Sequence, residues 1–311
     1  QPLGDAAQVA ADVLLVRPAA FGPNADTAGS NRFQRRPRGV TAALRRSALA
    51  EFESVVAALR RAGVRAHVVQ DEPEPARPDA LFPNNWLSLH GDGTAILYPL
   101  AAPNRRPERR PDVLAALAGR GFRVTRVLDL SPLERRGWFL EGTGSLVLDR
   151  TSHVAYAALS ARTHPAALDR FAAATGYRTL RFATRGPGGL PVYHTNVLLS
   201  LGRGFAVVAA EAIDPADRRR VLAALRATGR DVVAIDARQL AAFAGNCLEV
   251  AGRDGPCLLL SAGALASLGT GTRRRLARHA ELVPVAIPVI ERVGGGGVRC
   301  LLAELFLPGG G

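Results

Sequence analysis

Apolar residues recur at three- and four-residue spacings in five stretches of the chain: TAALRRSALAEFESVVAALRRAG (41–63), RPDVLAALAGRG (110–121), PAALDRFAAATG (165–176), PADRRRVLAALRATG (215–229) and TRRRLARHAE (272–281). That spacing places the apolar side chains on one face of a helix, and a glycine closes most of the stretches as a helix C-cap does. A run rich in β-formers follows each of them: VRAHVVQ, FRVTRVLDL, YRTLRFA, DVVAIDA and ELVPVAIPV. After a loop comes a second apolar run that opens on small or polar residues: LFPNNWLSLH, GWFLEGTGSLVLDR, VYHTNVLLSL, GNCLEVAG and GVRCLLAELFL. In four units this run turns at a polar or Gly-containing loop into another strand, as WLSLHGDGTAILYPL and VLLSLGRGFAVVAA do, which is hairpin chemistry.

The pattern repeats. Asn85, Gly144, Asn196, Asn246 and Cys300, one from each second run, are separated by 59, 52, 50 and 54 positions. The fifth unit lacks its return strand, and DVLLVRP near residue 12 can supply it. One such unit cannot bury its own apolar face, so several must pack around a shared core. The expected fold is therefore α/β, a five-bladed α/β propeller with pseudo-fivefold symmetry. No linker or low-complexity segment interrupts it, so residues 1–311 read as a single catalytic domain. A doubly wound sheet would also alternate helices and strands, but would not give a hairpin after every second strand.

Composition refines this reading. At 48% hydrophobic and mean hydropathy +0.07, the chain is globular, and no run approaches the roughly 20 apolar residues of a membrane helix. The opening QPLGDAAQVAADVLLV lacks the basic flank and cleavage site of a secretory signal. Three cysteines are too few for a disulfide scaffold, so a reduced, cytoplasmic setting is expected. The net charge of +13 raises the question of nucleic acid. All 40 basic residues are arginines on ordinary helix faces, without a finger, an RNA-binding-sheet signature or an aromatic ladder, so no nucleic-acid or membrane partner is expected. A homo-oligomer is compatible with the sequence.

In a propeller the starts of the inner strands converge on one mouth. The polar residues there are Asn84 and Asn85, Glu141, His194 and Asn196, Asn246, and Cys300. A thiol, an imidazole and a carboxylate from three units are the parts of a nucleophilic site: sulfur attacks as thiolate, histidine moves protons, the carboxylate orients the histidine. Cys300 follows GGGGVR, whose glycines permit close backbone approach, and the GTGS after Glu141 does the same. Cys247 and Cys257 lie within apolar runs and read as structural. His90, His153, His164 and His279 sit in turn- or surface-like contexts, and no close ligand spacing points to a metal. No cofactor is expected.

The order Glu141 in FLEGTGS, His194 in YHTN and Cys300 in GGVRC resembles the guanidine-modifying superfamily of arginine deiminases, dimethylargininases and amidinotransferases. The resemblance covers nearly the whole chain and implies a pentein, the five-fold pseudosymmetric α/β propeller. It also implies that Cys300 is the nucleophile of a covalent thio-adduct, that His194 is the general acid/base, and that Glu141 assists it and binds the reacting nitrogen end. Arg162, in LSARTHP, matches an S-x-R-T motif whose arginine holds the substrate α-carboxylate, a contact suited to a bidentate guanidinium. A surface arginine at a helix start is the plainer reading of that position.

Two positions depart from arginine deiminases. Those enzymes carry aspartates where this chain has Asn85 and Asn196, and the aspartates grip a guanidinium. Amides lose the charge but can donate as well as accept, which suits a neutral ureido group. VRPAAFGPNADTAGSNRFQ and DALFPNNW also look like the citrulline-utilising hydrolase branch. The leading expectation is cleavage of citrulline to ornithine, carbon dioxide and ammonia. Asp79, in PDALFPNN, can supply negative charge, so an arginine or dimethylarginine deiminase is the alternative. A propeller that only binds an amino acid is the other. SNRFQRRPRG reads as a mobile loop over the mouth.

Overall fold

The computed structural model describes residues 3, 7–35 and 39–310. Its strands form three-stranded units of one recurring topology. Strand β1 (Asp12–Arg17) runs through helix Ala42–Arg61 into β2 (Arg65–Gln70), parallel to β1. The next unit is β3 (Leu87–Leu89), antiparallel β4 (Thr94–Leu97), helix Pro111–Ala118 and β5 (Arg126–Asp129), parallel to β4. The same order returns in β6 (Val147–Asp149), β7 (Val154–Ala158) and β8 (Arg178–Phe182), with helix Pro165–Thr175 before the last strand. It returns in β9 (Leu199–Leu201), β10 (Phe205–Val208) and β11 (Asp231–Ala234), joined through helix Pro215–Ala227. The fourth repetition is β12 (Leu248–Gly252), β13 (Gly255–Ser261), helix Thr270–Ala277 and β14 (Glu281–Val285).

The unit without a return strand is completed from the N-terminal side. Strand β15 (Ala303–Leu305) pairs antiparallel with β1, Val13 opposite Glu304. Leu305 then bridges in parallel to Leu89, which merges this unit and the next into one six-stranded sheet. A single doubly wound sheet is thereby excluded: every unit has an antiparallel first pair, and three units form separate sheets.

The helices lie where the apolar spacing puts them, and local chemistry sets their ends. Thr41 and Asp214 accept from the backbone N–H of Leu44 and Ala216 at helix starts, and Pro165 and Pro215 occupy first-turn positions. Gly176 closes its helix in the left-handed conformation. Phe52, Val55, Val56 and Leu59 of the first helix bury against Val13, Leu15 and the segment carrying Cys300.

The second apolar runs differ from expectation. They do not begin as strands. Short helical turns, Pro83–Asn85, Gly142–Ser145, Thr195–Leu198 and Val298–Leu301, come first and lead into three-residue strands. Pro, Asn and Gly at these points favour turns over an extended ladder. His90, expected in a turn- or surface-like context, does open the turn between β3 and β4, but its side chain is closed off from solvent, with Nε2 2.8 Å from Ser88 Oγ.

Candidate active site

The short turns deliver the polar residues to one place. Cys300, His194, Glu141, Asn85, Asn196, Arg162 and Asp79 are each at most 3% exposed, so all the expected site residues are interior. Asp79, Asn85, Arg162, His194 and Cys300 line one cavity, with Glu141 and Asn196 in hydrogen-bond contact with that wall. Gly144 permits the convergence. A Cβ there would stand 2.7 Å from both Asn85 Nδ2 and His194 Nδ1.

His194 Nε2 lies 2.7 Å from Glu141 Oε2, and Glu141 Oε1 accepts from the Ala101 N–H. Burial pushes Glu141 up, but the Arg162 guanidinium, the His194 contact and Arg105 outweigh it and hold the carboxyl well below its usual range. His194 is lowered to about 4, because burial disfavours the imidazolium more than Glu141 favours it. The resting pair is neutral imidazole beside carboxylate. Cys300 Sγ is surrounded by amides, 3.3 Å from Asn246 Nδ2 and 3.7 Å from Asn196 Nδ2. Burial raises its pKa against the pull of Asn246 and the charge of Arg299, so the resting group is a thiol.

Arg162 is not a surface arginine. Its Nη1 is 3.3 Å from Glu141 Oε2, its Nε and Nη2 donate to Ser30 Oγ, and Nη2 also reaches the Thr27 carbonyl. The partners in residues 27–30 belong to the segment that covers the cavity. Farther along it, Asn31 Nδ2 donates to the Gly295 carbonyl and Gln34 Nε2 to that of Gly294, so the glycine run before Cys300 is the seat of this cover. The free space beneath is about 10 Å3, room for one water. Of the expected mobile loop, residues 36–38 lie outside the described residues.

Sequence reasoning missed Arg105, Glu108 and Asn24. Arg105 is almost wholly buried, chelated by Glu108 at 2.9 and 2.8 Å, and donates from Nη1 to Asn85 Oδ1 at 3.0 Å. Asn24 Nδ2 donates to Asp79 Oδ2 at 2.7 Å, while Asp79 Oδ1 has no hydrogen-bond partner among the described residues. In a chain with 40 arginines, NRRPER gave no local sign that one of them is interior. Among the described residues no cluster of three His, Cys, Asp or Glu could hold a metal, and no helix is long and apolar enough to cross a membrane.

Fold and site together define a hydrolase of the guanidine-modifying superfamily that acts on non-peptide C–N bonds. The chain belongs to the dimethylarginine dimethylhydrolase family: the family described as N,N dimethylarginine dimethylhydrolase, eukaryotic, matches residues 17–307. Among solved structures it is similar to the substrate-bound N-terminal domain of ArgZ, an arginine dihydrolase from the ornithine–ammonia cycle in cyanobacteria. That match has a TM-score of 0.74 at 15% identity and covers 95% of this chain and 99% of the other. It is similar to a dimethylarginine dimethylaminohydrolase, solved as an adduct with 4-chloro-2-hydroxymethylpyridine, at TM-score 0.64 and 16% identity, covering 94% and 99%. Against unliganded AgrE the TM-score is 0.73 at 16% identity, but the match spans only 39% of that longer chain. At these identities the likeness carries the fold. No curated protein matches the chain.

Proposed function

We propose that this chain hydrolyses the ureido group of citrulline, with Cys300 as nucleophile, His194 as proton carrier and Glu141 as the base that supports its imidazolium. In this reading the recurring units surround a pseudo-fivefold axis as the blades of a propeller, and the short turns meet at its mouth. The observation that carries the substrate choice is the surroundings of the sulfur: among the described residues, every hydrogen-bonding side chain at Cys300 Sγ is an amide, Asn196 or Asn246. An amide can satisfy both the carbonyl and the N–H groups of a ureido substrate. Neither side chain bonded to the sulfur offers a guanidinium a carboxylate.

The thiol proton passes to His194, whose imidazolium is paired with Glu141, and the thiolate adds to the ureido carbon. His194 returns that proton to the departing nitrogen as the C–N bond breaks, leaving a carbamoyl group on sulfur. Water, deprotonated by His194, displaces the sulfur, and the carbamate released decomposes. The balance is citrulline plus water to ornithine, carbon dioxide and ammonia. Arg162, already presented as a fork to Ser30 and Thr27, is the ligand for the α-carboxylate. The unpartnered Asp79 Oδ1 suits the α-ammonium.

That same Asp79 oxygen favours a second reading, in which it grips a guanidinium and the substrate is arginine or a methylarginine. Incubation with citrulline, arginine and dimethylarginine separates them. Ornithine from citrulline is expected; citrulline formed from a guanidino substrate would overturn the amide reading. Turnover of none of the three would leave an amino-acid-binding protein. Cys300→Ala is expected to abolish turnover with the fold intact, and full activity in it would remove the nucleophile assignment.

A further inference from the structure

Asn246 stands just before β12, in a part of the chain that contributes neither the nucleophile nor the proton carrier. It is wholly buried. Its Nδ2 donates to the Asn196 carbonyl at 2.9 Å and lies 3.3 Å from Cys300 Sγ. The first contact fixes the amide's orientation. A backbone carbonyl only accepts, so the NH2 must face Asn196, and its second N–H is then free for sulfur. Asn246 Oδ1 stands farther off, at 3.7 Å from Sγ. Among the described residues Asn196 has no such anchor, and its own amide is farther away, with Nδ2 at 3.7 Å and Oδ1 at 3.9 Å from Sγ. The opposite side of Asn246 is held as well. A Cβ on Gly297 would come within 2.6 Å of Asn246 Oδ1, so the last glycine of the run before Cys300 is what admits this side chain.

We propose that Asn246 is a catalytic residue: its oriented side-chain N–H donates to Cys300 Sγ and stabilises the thiolate that attacks the substrate. The inference rests on Cys300 being the nucleophile. A buried thiolate needs compensation, and the imidazolium that forms on His194 shares its charge with Glu141. A preorganised amide supplies it without adding a cation beside a neutral substrate. Other charged or titratable groups face the sulfur. Arg299 comes from its own turn, Tyr193 and His194 from the turn before β9, and Arg162, Arg105 and Asp79 from the cavity wall. None of their side chains forms a hydrogen bond to Sγ.

The test is titration of thiolate ultraviolet absorbance in the full chain, with its Cys300→Ser variant subtracted to remove Cys247 and Cys257. In Asn246→Ala the Cys300 titration should move upward by about one to two pH units, the worth of one hydrogen bond to a charged group. Turnover at neutral pH should fall about ten- to a hundredfold and recover as pH rises, which a packing defect would not do. Asn246→Ser keeps a donor in less volume and should fall between the two. An unchanged titration in either folded variant, or a loss of turnover flat across pH, overturns the proposal. If both variants unfold, Asn246 belongs to the frame of the fold and the proposal is lost. The titration needs no substrate, so failure of the citrulline reading leaves it intact.

Discussion

His194 Nε2 and Glu141 Oε2 meet at 2.7 Å, both side chains closed off from solvent. The contact joins the turn before β9 to the turn before β6 and makes one buried acid–base unit from residues 53 positions apart. Both groups end below their ordinary values, Glu141 because its cationic partners outweigh burial and His194 because burial outweighs Glu141, and their titrations bear on stability as well as on chemistry.

His194 is lowered from 6.5 to about 4, and Glu141 is held below its ordinary 4.5. A depressed group stabilises the fold fully above its unfolded value and loses that contribution as pH falls toward its folded value. Stability should therefore decline from pH 6.5 toward 4 and further below. Urea midpoints across this range measure it. His194→Asn should flatten the upper part of the decline; an unaltered slope would show that other groups cause it.

Arg105 is chelated by Glu108 and tied to Asn85. Arg105→Ala leaves Glu108 buried without its partner, and breaking such a pair costs about 3–5 kcal/mol. A drop of that size in unfolding free energy is expected, with activity lost alongside. A drop below about 1 kcal/mol, the scale of a surface pair, would contradict the burial of this ion pair.

By the resemblance in the sequence, Asn85 and Asn196 take the places of two aspartates of arginine deiminases. The double change Asn85→Asp with Asn196→Asp should shift kcat/KM toward arginine and away from citrulline. The larger part should come from position 196, because a carboxylate at 85 would be taken by Arg105, whose Nη1 already sits 3.0 Å from Oδ1. Competition assays with both amino acids decide it, and no gain for arginine would count against the substrate choice.

Gly144 carries no side chain in a space shared by Asn85 and His194. Gly144→Ala should reduce turnover by about a hundredfold or more, the scale of displaced acid–base geometry, with overpacking taking about 1–3 kcal/mol from stability. A variant that no longer folds would mean the turn itself had failed.

Access is the last point. With room for one water beneath it, the cover must leave before an amino acid can enter. Asn31→Ala removes its bond to the Gly295 carbonyl. Hydrogen exchange across residues 27–35 should accelerate, and KM should rise more than kcat falls. Unchanged exchange would place the opening elsewhere.

The repeat was legible in the sequence because period is a local property. Helix faces, their glycine ends and the β-rich runs each follow from residues within a few positions, and the resulting units match. The sequence set Cys300, His194 and Glu141 in three of the second apolar runs, and the structure buries all three, together with Arg162 and Asp79. The sequence alone determined neither the short turns before the inner strands nor the tie from Arg105 to Asn85. It also left open that the glycine run seats residues 27–35 and that Asn246 aims an N–H at sulfur. These depend on which distant side chains share a low-dielectric interior. There an arginine indistinguishable from 39 others becomes a fixed charge, and an asparagine becomes an oriented donor.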